Sequence, residues 1–231
     1  MNAEPDMSRL ARTIGDATRV RMLILLTEGR ALTAKELAYG AGVKPATATA
    51  HLRRLEGDRL VSSTTQGRHK YFRLTSPDVA HLVESLMVVA PAATPRHASD
   101  KKTVDAIRLA RLCYDHLAGK LGVRLTAAMV ARGLLVEEKR AFSITADGED
   151  WFETFGIDMP ALRRNRRQFA YQCLDWSERK SHLAGSLGAA VAQRMIVLGW
   201  LVKARRSRVV SLTETGQRAL KKRLGISLKD T

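Results

Sequence analysis

The second half of the chain contains four side chains that could bind a soft metal ion or react as thiols. Cys113 and His116 are three residues apart, and on the helix that we expect there they would share one face. Cys173 and His182 form a second group further along the chain. Thiolate and imidazole ligands suit zinc, copper or a metalloid such as arsenite, so these residues are candidates for a metal or thiol sensor.

Two other interpretations of these residues remain open. Both histidines begin His-Leu-Ala-Gly segments, where a packing or capping role in a helix would explain them equally well. A cysteine nucleophile with a histidine base would suit an enzyme. However, the sequence shows no oxyanion loop, phosphate-binding glycine loop or paired carboxylates, so we expect no enzymatic activity.

A second group of polar side chains falls on a helix predicted to run from Pro45 to about Gly57. Short residues allow a helix to approach base edges closely, hydroxyl and imidazole groups hydrogen-bond to bases, and arginines neutralise phosphates. A hairpin with a basic tip follows, and cations there could reach a phosphate strand or the minor groove. The DNA contacts predicted in this way are Lys44, Ala46, Thr47, Thr49, His51, Arg53 and Arg54 on the helix and Arg68, His69 and Lys70 on the hairpin.

The elements around this helix have the order of a winged helix-turn-helix. Helices are predicted over 8–28, with Asp16 as an N-cap, and a short helix begins at Thr33, where Thr-Ala-Lys-Glu forms a capping box. After the helix that begins at Pro45, strands are predicted at 60–63 and 69–74. A helix, a short helix, a turn, a third helix and a two-stranded wing together predict binding to duplex DNA.

Three stretches of this region resemble regulators of the ArsR/SmtB family. They are GDATRVRMLILL, ATATAHLRRLEGDRLV and GRHKYFRL, and the likeness covers residues 8–90, about 40% of the chain. The resemblance implies a homodimer, formed by the first helix and the helix after the wing, that represses transcription until a signal releases it. It also implies that Thr47, Thr49 and His51 lie in the major groove of double-stranded operator DNA, which we expect to be an inverted repeat. Arg59 stands where the family usually has glycine.

The metal sites usual in that family are missing here. The stretch at 36–40, Glu-Leu-Ala-Tyr-Gly, contains no thiol. The helix after the wing has Asp78 and His81 but no later histidine, and Asp78 is explained by its place in the first helical turn. A metal, if one is bound, would therefore use the second half of the chain.

The second half contains an internal repeat. Residues 116–122, HLAGKLG, return as 182–188, HLAGSLG, with six matches in seven at a spacing of 66 residues. Such agreement predicts a duplicated unit in which each copy has a helix, a second helix, a β-hairpin and a capped helix. At this spacing Cys113 aligns with Arg179 rather than with Cys173, so the cysteines are not expected to be equivalent.

The fold class predicted from these patterns is mainly α with small β-hairpin wings (α+β). The N-terminal winged helix-turn-helix is expected over 1–90, a linker over 91–100, and a C-terminal domain over 101–231 with repeats at about 105–157 and 171–226. That domain is built from an internally duplicated winged-helix-like unit, and we expect it to sense a small ligand.

The charge of the chain favours polyanions and lies mostly in the second half. The 39 basic and 23 acidic residues give a net charge of +16. By count, residues 1–90 hold 13 basic and 9 acidic residues (+4), and residues 101–231 hold 25 and 13 (+12). A second DNA or anion contact is therefore possible at Arg205, Arg206 and Arg208, although a solvated run of charge is the commoner outcome.

No apolar run approaches the ~18 residues of a bilayer span and no secretory signal opens the chain, so we expect a cytoplasmic protein without membrane contact. Two cysteines are too few for a disulfide framework. The main alternative to a ligand-responsive repressor is an architectural DNA-binding protein without an effector.

Overall fold

The protein is described from a computed structural model, which covers residues 5–91, 98–164, 166–205 and 207–227. The chain divides into two compact units, Met1–Glu84 and Ser85–Thr231. Each unit has its own secondary structure and its own core, and each is described separately below.

The first unit has the predicted helix-turn-helix followed by a wing. A three-stranded antiparallel sheet has the order β1-β3-β2, with β2 and β3 paired from Val61↔Leu74 to Gln66↔His69. The elements are α1 (Met7–Ile14), α2 (Ala17–Leu26), β1 (Leu32–Thr33), α3 (Ala34–Ala41), α4 (Pro45–Gly57), β2 (Val61–Gln66), β3 (His69–Leu74) and α5 (Pro77–Val89), whose last turn belongs to the second unit.

Local signals in the sequence explain the ends of these helices. The Asp16 side chain accepts a hydrogen bond from the Arg19 amide and caps α2. Thr33 and Glu36 form the predicted capping box at the start of α3. Helix α3 ends at Gly42, whose φ of 70° is the left-handed conformation that glycine adopts readily. The chain then turns directly into α4.

Helix α4 is fixed by one buried face. Ala48, Leu52 and Leu55 are at most 1% exposed and pack into the core of the first unit. Arg59, just after α4, has a φ of 56°. This left-handed conformation gives a physical reason why related sequences carry glycine at this position.

The second unit consists of helices and two-stranded hairpins, and the order hairpin, helix, hairpin, helix occurs twice. Helix α7 packs against β9 and helix α10 packs against β5, so each half contacts the first hairpin of the other half. The elements are α6 (Ala98–Leu109), β4 (Arg111–Cys113), β5 (His116–Ala118), α7 (Gly119–Ala131), β6 (Leu135–Glu137), β7 (Phe142–Ile144), α8 (Ala146–Thr154), α9 (Met159–Arg163), β8 (Tyr171–Leu174), β9 (Ser181–Ala184), α10 (Gly185–Val197), β10 (Leu201–Lys203), β11 (Val210–Leu212) and α11 (Glu214–Leu224).

The expectation that the His-Leu-Ala-Gly segments lie within helices is wrong. In each segment His-Leu-Ala is a β-strand, and the helix begins only at the glycine. Gly119 and Gly185 have φ values of 76° and 86°, and a Cβ on either would come within 2.6 Å of a backbone carbonyl oxygen. The glycines are therefore required where the strand turns sharply into the helix.

The predicted linker at 91–100 is only partly described, because residues 92–97 lie outside the described ranges. Helix α6 begins at Ala98, within the stretch that the composition assigned to the linker.

Candidate nucleic-acid interface and Cys/His cluster

The candidate DNA-reading surface is the face of α4 that points away from the core. Small and polar side chains are exposed there, between the buried positions 48, 52 and 55. Thr49 is turned partly back to its own helix, since its hydroxyl donates to the Pro45 carbonyl oxygen at 3.0 Å. The exposed residues predicted to contact DNA are Lys44, Ala46, Thr47, Thr49, Arg53 and Arg54.

His51 differs from these residues because its ring is half-buried and held by α2. Its Nδ1 lies 3.3 Å from a guanidinium nitrogen of Arg19 and 3.6 Å from the Asp16 carboxylate. These contacts orient the ring, so His51 has a positioning role inside the protein in addition to the predicted DNA contact.

Arg54 is likewise engaged within the first unit. Its Nε donates to Thr13 Oγ1 at 3.1 Å and lies 3.1 Å from a carboxylate oxygen of Asp58. Asp58 also accepts from the Thr13 hydroxyl and from Arg9 Nε. The Thr13 hydrogen bond lowers the pKa of Asp58 most; burial opposes this shift, and the two arginines add to it. This group ties α1 to the C-terminal end of α4.

The wing ends in a tight turn at Gly67, whose φ is 57°. Arg68, His69 and Lys70 are all exposed at or next to this turn. Lys70 Nζ bonds to Glu56 Oε2 at 3.1 Å and lies 5.0 Å from the centre of the Phe72 ring. Lys70 would therefore exchange a weak surface ion pair for a phosphate contact.

The three arginines proposed for a second anion contact do not share one environment. Arg205 is exposed, and Arg206 lies outside the described residues. Arg208 is only 6% exposed and donates to Met87 Sδ at 3.3 Å. Its burial corrects the sequence-based assignment, because a buried guanidinium is not available to bind a phosphate.

The four candidate metal or thiol residues come together in the second unit. The ligand atoms of these residues all lie within 4.8 Å of one another, and all four side chains are buried. The two sulfur atoms are 3.9 Å apart and the imidazole ring centres are 5.1 Å apart. We call this group the Cys/His cluster; its members are Cys113, His116, Cys173 and His182.

The arrangement that brings them together is not the helix expected from sequence. Cys113 pairs with His116 directly across the β4-β5 hairpin, and Cys173 pairs with His182 across the β8-β9 hairpin. The prediction that the cysteines are not equivalent is therefore wrong. Two residues separate the first pair and eight separate the second, and this six-residue difference hides the match from a fixed spacing of 66.

A carboxylate stands beside each histidine of the cluster. Asp115 Oδ1 lies 3.3 Å from Nδ1 of His116, and Asp175 Oδ2 lies 3.7 Å from Nδ1 of His182. Arginines hold both carboxylates in place: Arg167 pairs with Asp115, and the fully buried Arg111 pairs with Asp175. Reasoning from sequence missed Arg111 and Asp115, and no local motif marks them.

Buried charges shift the pKa values of this group. Burial opposes protonation of His116, but the charge on Cys113 and the Asp115 carboxylate raise its pKa to about 9. Burial also opposes ionisation of Asp175, but Arg111 and hydrogen bonds from Ser177 and the Gly119 amide lower its pKa to about 2. The cluster is thus an environment that stabilises cations next to sulfur and carboxylate groups.

Among the described residues, no helix has both the length and the apolar character needed to cross a bilayer.

Comparison with known proteins agrees with the first unit's geometry and extends over nearly the whole chain. A family model described as a helix-turn-helix domain matches residues 14–64. An HTH-type transcriptional regulator of Bacillus subtilis (strain 168), YdfF, is 38% identical over 224 residues, which are 97% of this chain and 99% of the relative.

Two further similarities are confined to the N-terminal part. The HTH-type transcriptional regulator Rv0324 of Mycobacterium tuberculosis is 33% identical over 85 residues, 36% of this chain and 37% of that protein. A solution structure of a homodimeric winged helix-turn-helix DNA-binding domain from Mycobacterium bovis, from a possible ArsR-family regulator, is 26% identical. It covers 38% of this chain and 89% of that one, with a TM-score of 0.34. The chain belongs to the family of HTH-type transcriptional regulators that includes YdfF, with an ArsR-like winged helix-turn-helix at its N-terminus and an additional C-terminal region.

Proposed function

We propose that this DNA-binding regulator is a homodimeric repressor that recognises an inverted-repeat operator and is released by a signal sensed in its C-terminal unit. The observation that carries the proposal is the exposed face of α4 beside the basic wing. Thr47 and the small residues Ala46 and Ala50 are exposed there and leave room for close approach to base edges. The basic wing adds contacts to phosphates.

The proposed division of labour within α4 follows from its contacts. Arg53 is exposed and suited to phosphate neutralisation, whereas Arg54 and His51 are already bonded to α1 and α2. We therefore propose that Thr47 and Thr49 read bases, that Arg53 and Arg68 bind phosphates, and that His51 and Arg54 chiefly orient the helix.

We further propose that the C-terminal unit arose by duplication. Gly122 and Gly188 occupy matching positions, because a Cβ on either would lie 2.4 Å from a carbonyl oxygen of the strand before its helix. The neighbours are reciprocal: a Cβ at Gly122 would lie 3.8 Å from Cβ of His182, and one at Gly188 would lie 3.3 Å from Cβ of His116. Such a regulatory role, rather than an enzymatic one, is also supported by the regulator name of the full-length relative.

The test is selection of bound fragments from genomic DNA by the purified full-length chain, followed by anisotropy titration at one fixed salt concentration. We expect an inverted repeat that is bound at least about 10³-fold more tightly than random DNA. Thr47→Ala should change the base preference, while Thr75→Ala, at an exposed position outside α4 and the wing tip, should not. A ratio near one would instead identify an architectural binder and overturn the proposal.

The repressor part has its own test. Transcription in vitro from a promoter that contains the selected operator should fall when the chain is added. An increase in transcript would show an activator and would overturn the repressor part without affecting the DNA-binding result.

A further inference from the structure

The Cys/His cluster has the ligand set and the dimensions of a tetrahedral metal site. Two thiols and two imidazoles are the Cys₂His₂ set of structural zinc sites. Zinc–sulfur bonds of about 2.3 Å in a tetrahedron separate the two sulfurs by roughly 3.8 Å. The observed separation of Cys113 Sγ and Cys173 Sγ is 3.9 Å, so an ion could be accommodated with little movement of the sulfurs.

The surroundings of the cluster also match those of a metal site. Histidines that bind metals usually direct the other ring nitrogen to a carboxylate, which fixes the tautomer and the orientation of the ring. Asp115 and Asp175 stand in this position beside the Nδ1 atoms of His116 and His182. Nε2 of His116 is buried and makes no hydrogen bond within the described part of the chain, as expected of a nitrogen reserved for a ligand.

We propose that the Cys/His cluster is a closed site for Zn²⁺ or another thiophilic d¹⁰ cation, with two thiolate and two imidazole ligands. Four protein ligands complete a tetrahedron, so such an ion has no open position for a substrate. The wall of the site is formed by the small side chains Ala118 and Ala184 with Tyr171 packed beside them.

The ion would join the two halves of the C-terminal unit. Each hairpin supplies one cysteine and one histidine, and neither hairpin alone supplies more than two ligands. Because the four ligands assemble only in the folded chain, the binding energy of the ion contributes to the free energy of unfolding of this unit. This proposal does not rest on DNA binding, since metal content is measured without DNA.

A disulfide between the same cysteines is the chief competing use of the site. Both cysteines are free thiols, and a disulfide would need the sulfurs to approach to about 2.05 Å. A disulfide also gives no role to the two histidines and their paired carboxylates. The metal site accounts for all of these residues.

The experiment uses the full-length chain, purified under reducing conditions with both thiols confirmed as free by titration. We expect one zinc ion per chain by elemental analysis. Replacement by cobalt(II) should produce the intense visible absorption of tetrahedral cobalt together with a near-ultraviolet thiolate-to-cobalt band. Removal of the ion with a chelator should lower the unfolding temperature of the chain.

Variants separate binding by the cluster from adventitious binding. Cys113→Ser should weaken zinc binding by more than the roughly 10- to 100-fold that loss of an outer-sphere partner causes, and Asp115→Asn should fall within that range. His81→Gln, which removes the histidine at the position where related regulators bind metals, should keep one zinc per chain. His116→Cys retains four ligands and should keep the ion, whereas His116→Ala should lose it.

Two outcomes would overturn the proposal. One is a reduced, folded chain that takes up neither zinc nor cobalt after reconstitution. The other is a zinc content of one per chain that persists in Cys113→Ser/Cys173→Ser. A failure to fold of the serine variants leaves the comparison of His116→Cys with His116→Ala as the deciding result.

Discussion

The guanidinium of Arg111 and the carboxylate of Asp175 form an ion pair at 2.9 Å in which neither side chain is exposed to solvent. The two residues are 64 positions apart and belong to β4 and to the loop after β8. Asp175 also accepts from the amide of Gly119, at the start of α7, and lies beside His182. This pair therefore links both hairpins of the Cys/His cluster.

Removal of one partner of this pair should be strongly destabilising. Arg111→Met leaves the Asp175 carboxylate buried without its cation, and we expect a loss of about 3–5 kcal/mol in the free energy of unfolding. In Arg111→Met/Asp175→Asn the uncompensated charge is gone, so the double variant should lose less than the sum of the two single losses. Urea unfolding of the four proteins checks this, and strict additivity would contradict it.

Acid should weaken the attachment of α1 to α4 through Asp58. The folded state lowers the pKa of Asp58 below its ordinary value of 3.8. Its contribution to stability is therefore complete above that value and is lost as the pH falls through the lower, folded pKa. Asp58→Asn should lower the urea midpoint at pH 7, and this difference from the wild type should shrink as the pH falls below 3.8. The exposed Asp78→Asn serves as the control and should show little difference at any pH.

The elements that the sequence could predict are those whose signals are local. The capping box at Thr33, the proline at the start of α4 and the glycine of the wing turn each act on the backbone within a few residues. The buried and exposed faces of α4 follow in the same way from the spacing of its apolar residues. For these elements the structure agrees with the sequence-based expectation.

The strands at His116 and His182 could not be predicted in this way. Six-residue helical patterns continue through both segments, and only the close approach of Gly119 and Gly185 to backbone carbonyl groups forces the turn. The pairing of Arg111 with Asp175 depends on contacts between the two halves, which no local pattern encodes. The cluster residues were found as candidates because of their chemistry, not because their geometry was foreseen.

Neighbouring arginines on α4 should respond differently to substitution. Arg53→Ala should reduce the slope of log K against log salt concentration by about 0.9, the value expected for one lost phosphate contact. Arg54→Ala should lower stability instead, because Arg54 bonds to Thr13 and Asp58. Anisotropy titrations at several salt concentrations, with Arg30→Ala as a matched loss of charge outside the interface, distinguish the two effects. An unchanged slope in Arg53→Ala would exclude it from phosphate binding.

Exposed apolar side chains on α1 should contribute to the proposed dimer. Met7 is 66% exposed, although it is a large apolar residue. Met7→Glu places a charge on this surface and should shift the chain from dimer to monomer in light scattering at micromolar concentration. Tyr39→Glu, at an 82% exposed position on α3, is the control and should remain dimeric. Dimerisation that survives Met7→Glu at wild-type strength would show that α1 is not part of the interface.

The paired glycines of α7 and α10 should be intolerant of even a methyl group. A Cβ at Gly122 or Gly188 would lie 2.4 Å from a backbone carbonyl oxygen, which cannot move aside as the end of a flexible side chain could. We expect each alanine variant to lose about 1–3 kcal/mol or more in the free energy of unfolding, while Gly57→Ala, with open space around it, should be nearly neutral. Gly188→Ala should also weaken zinc binding more than Gly122→Ala, because its Cβ would lie 3.3 Å from His116 Cβ whereas that of Gly122 would lie 3.8 Å from His182 Cβ. Equal zinc affinity in the two variants would show that the contact with His116 yields without disturbing the ligand.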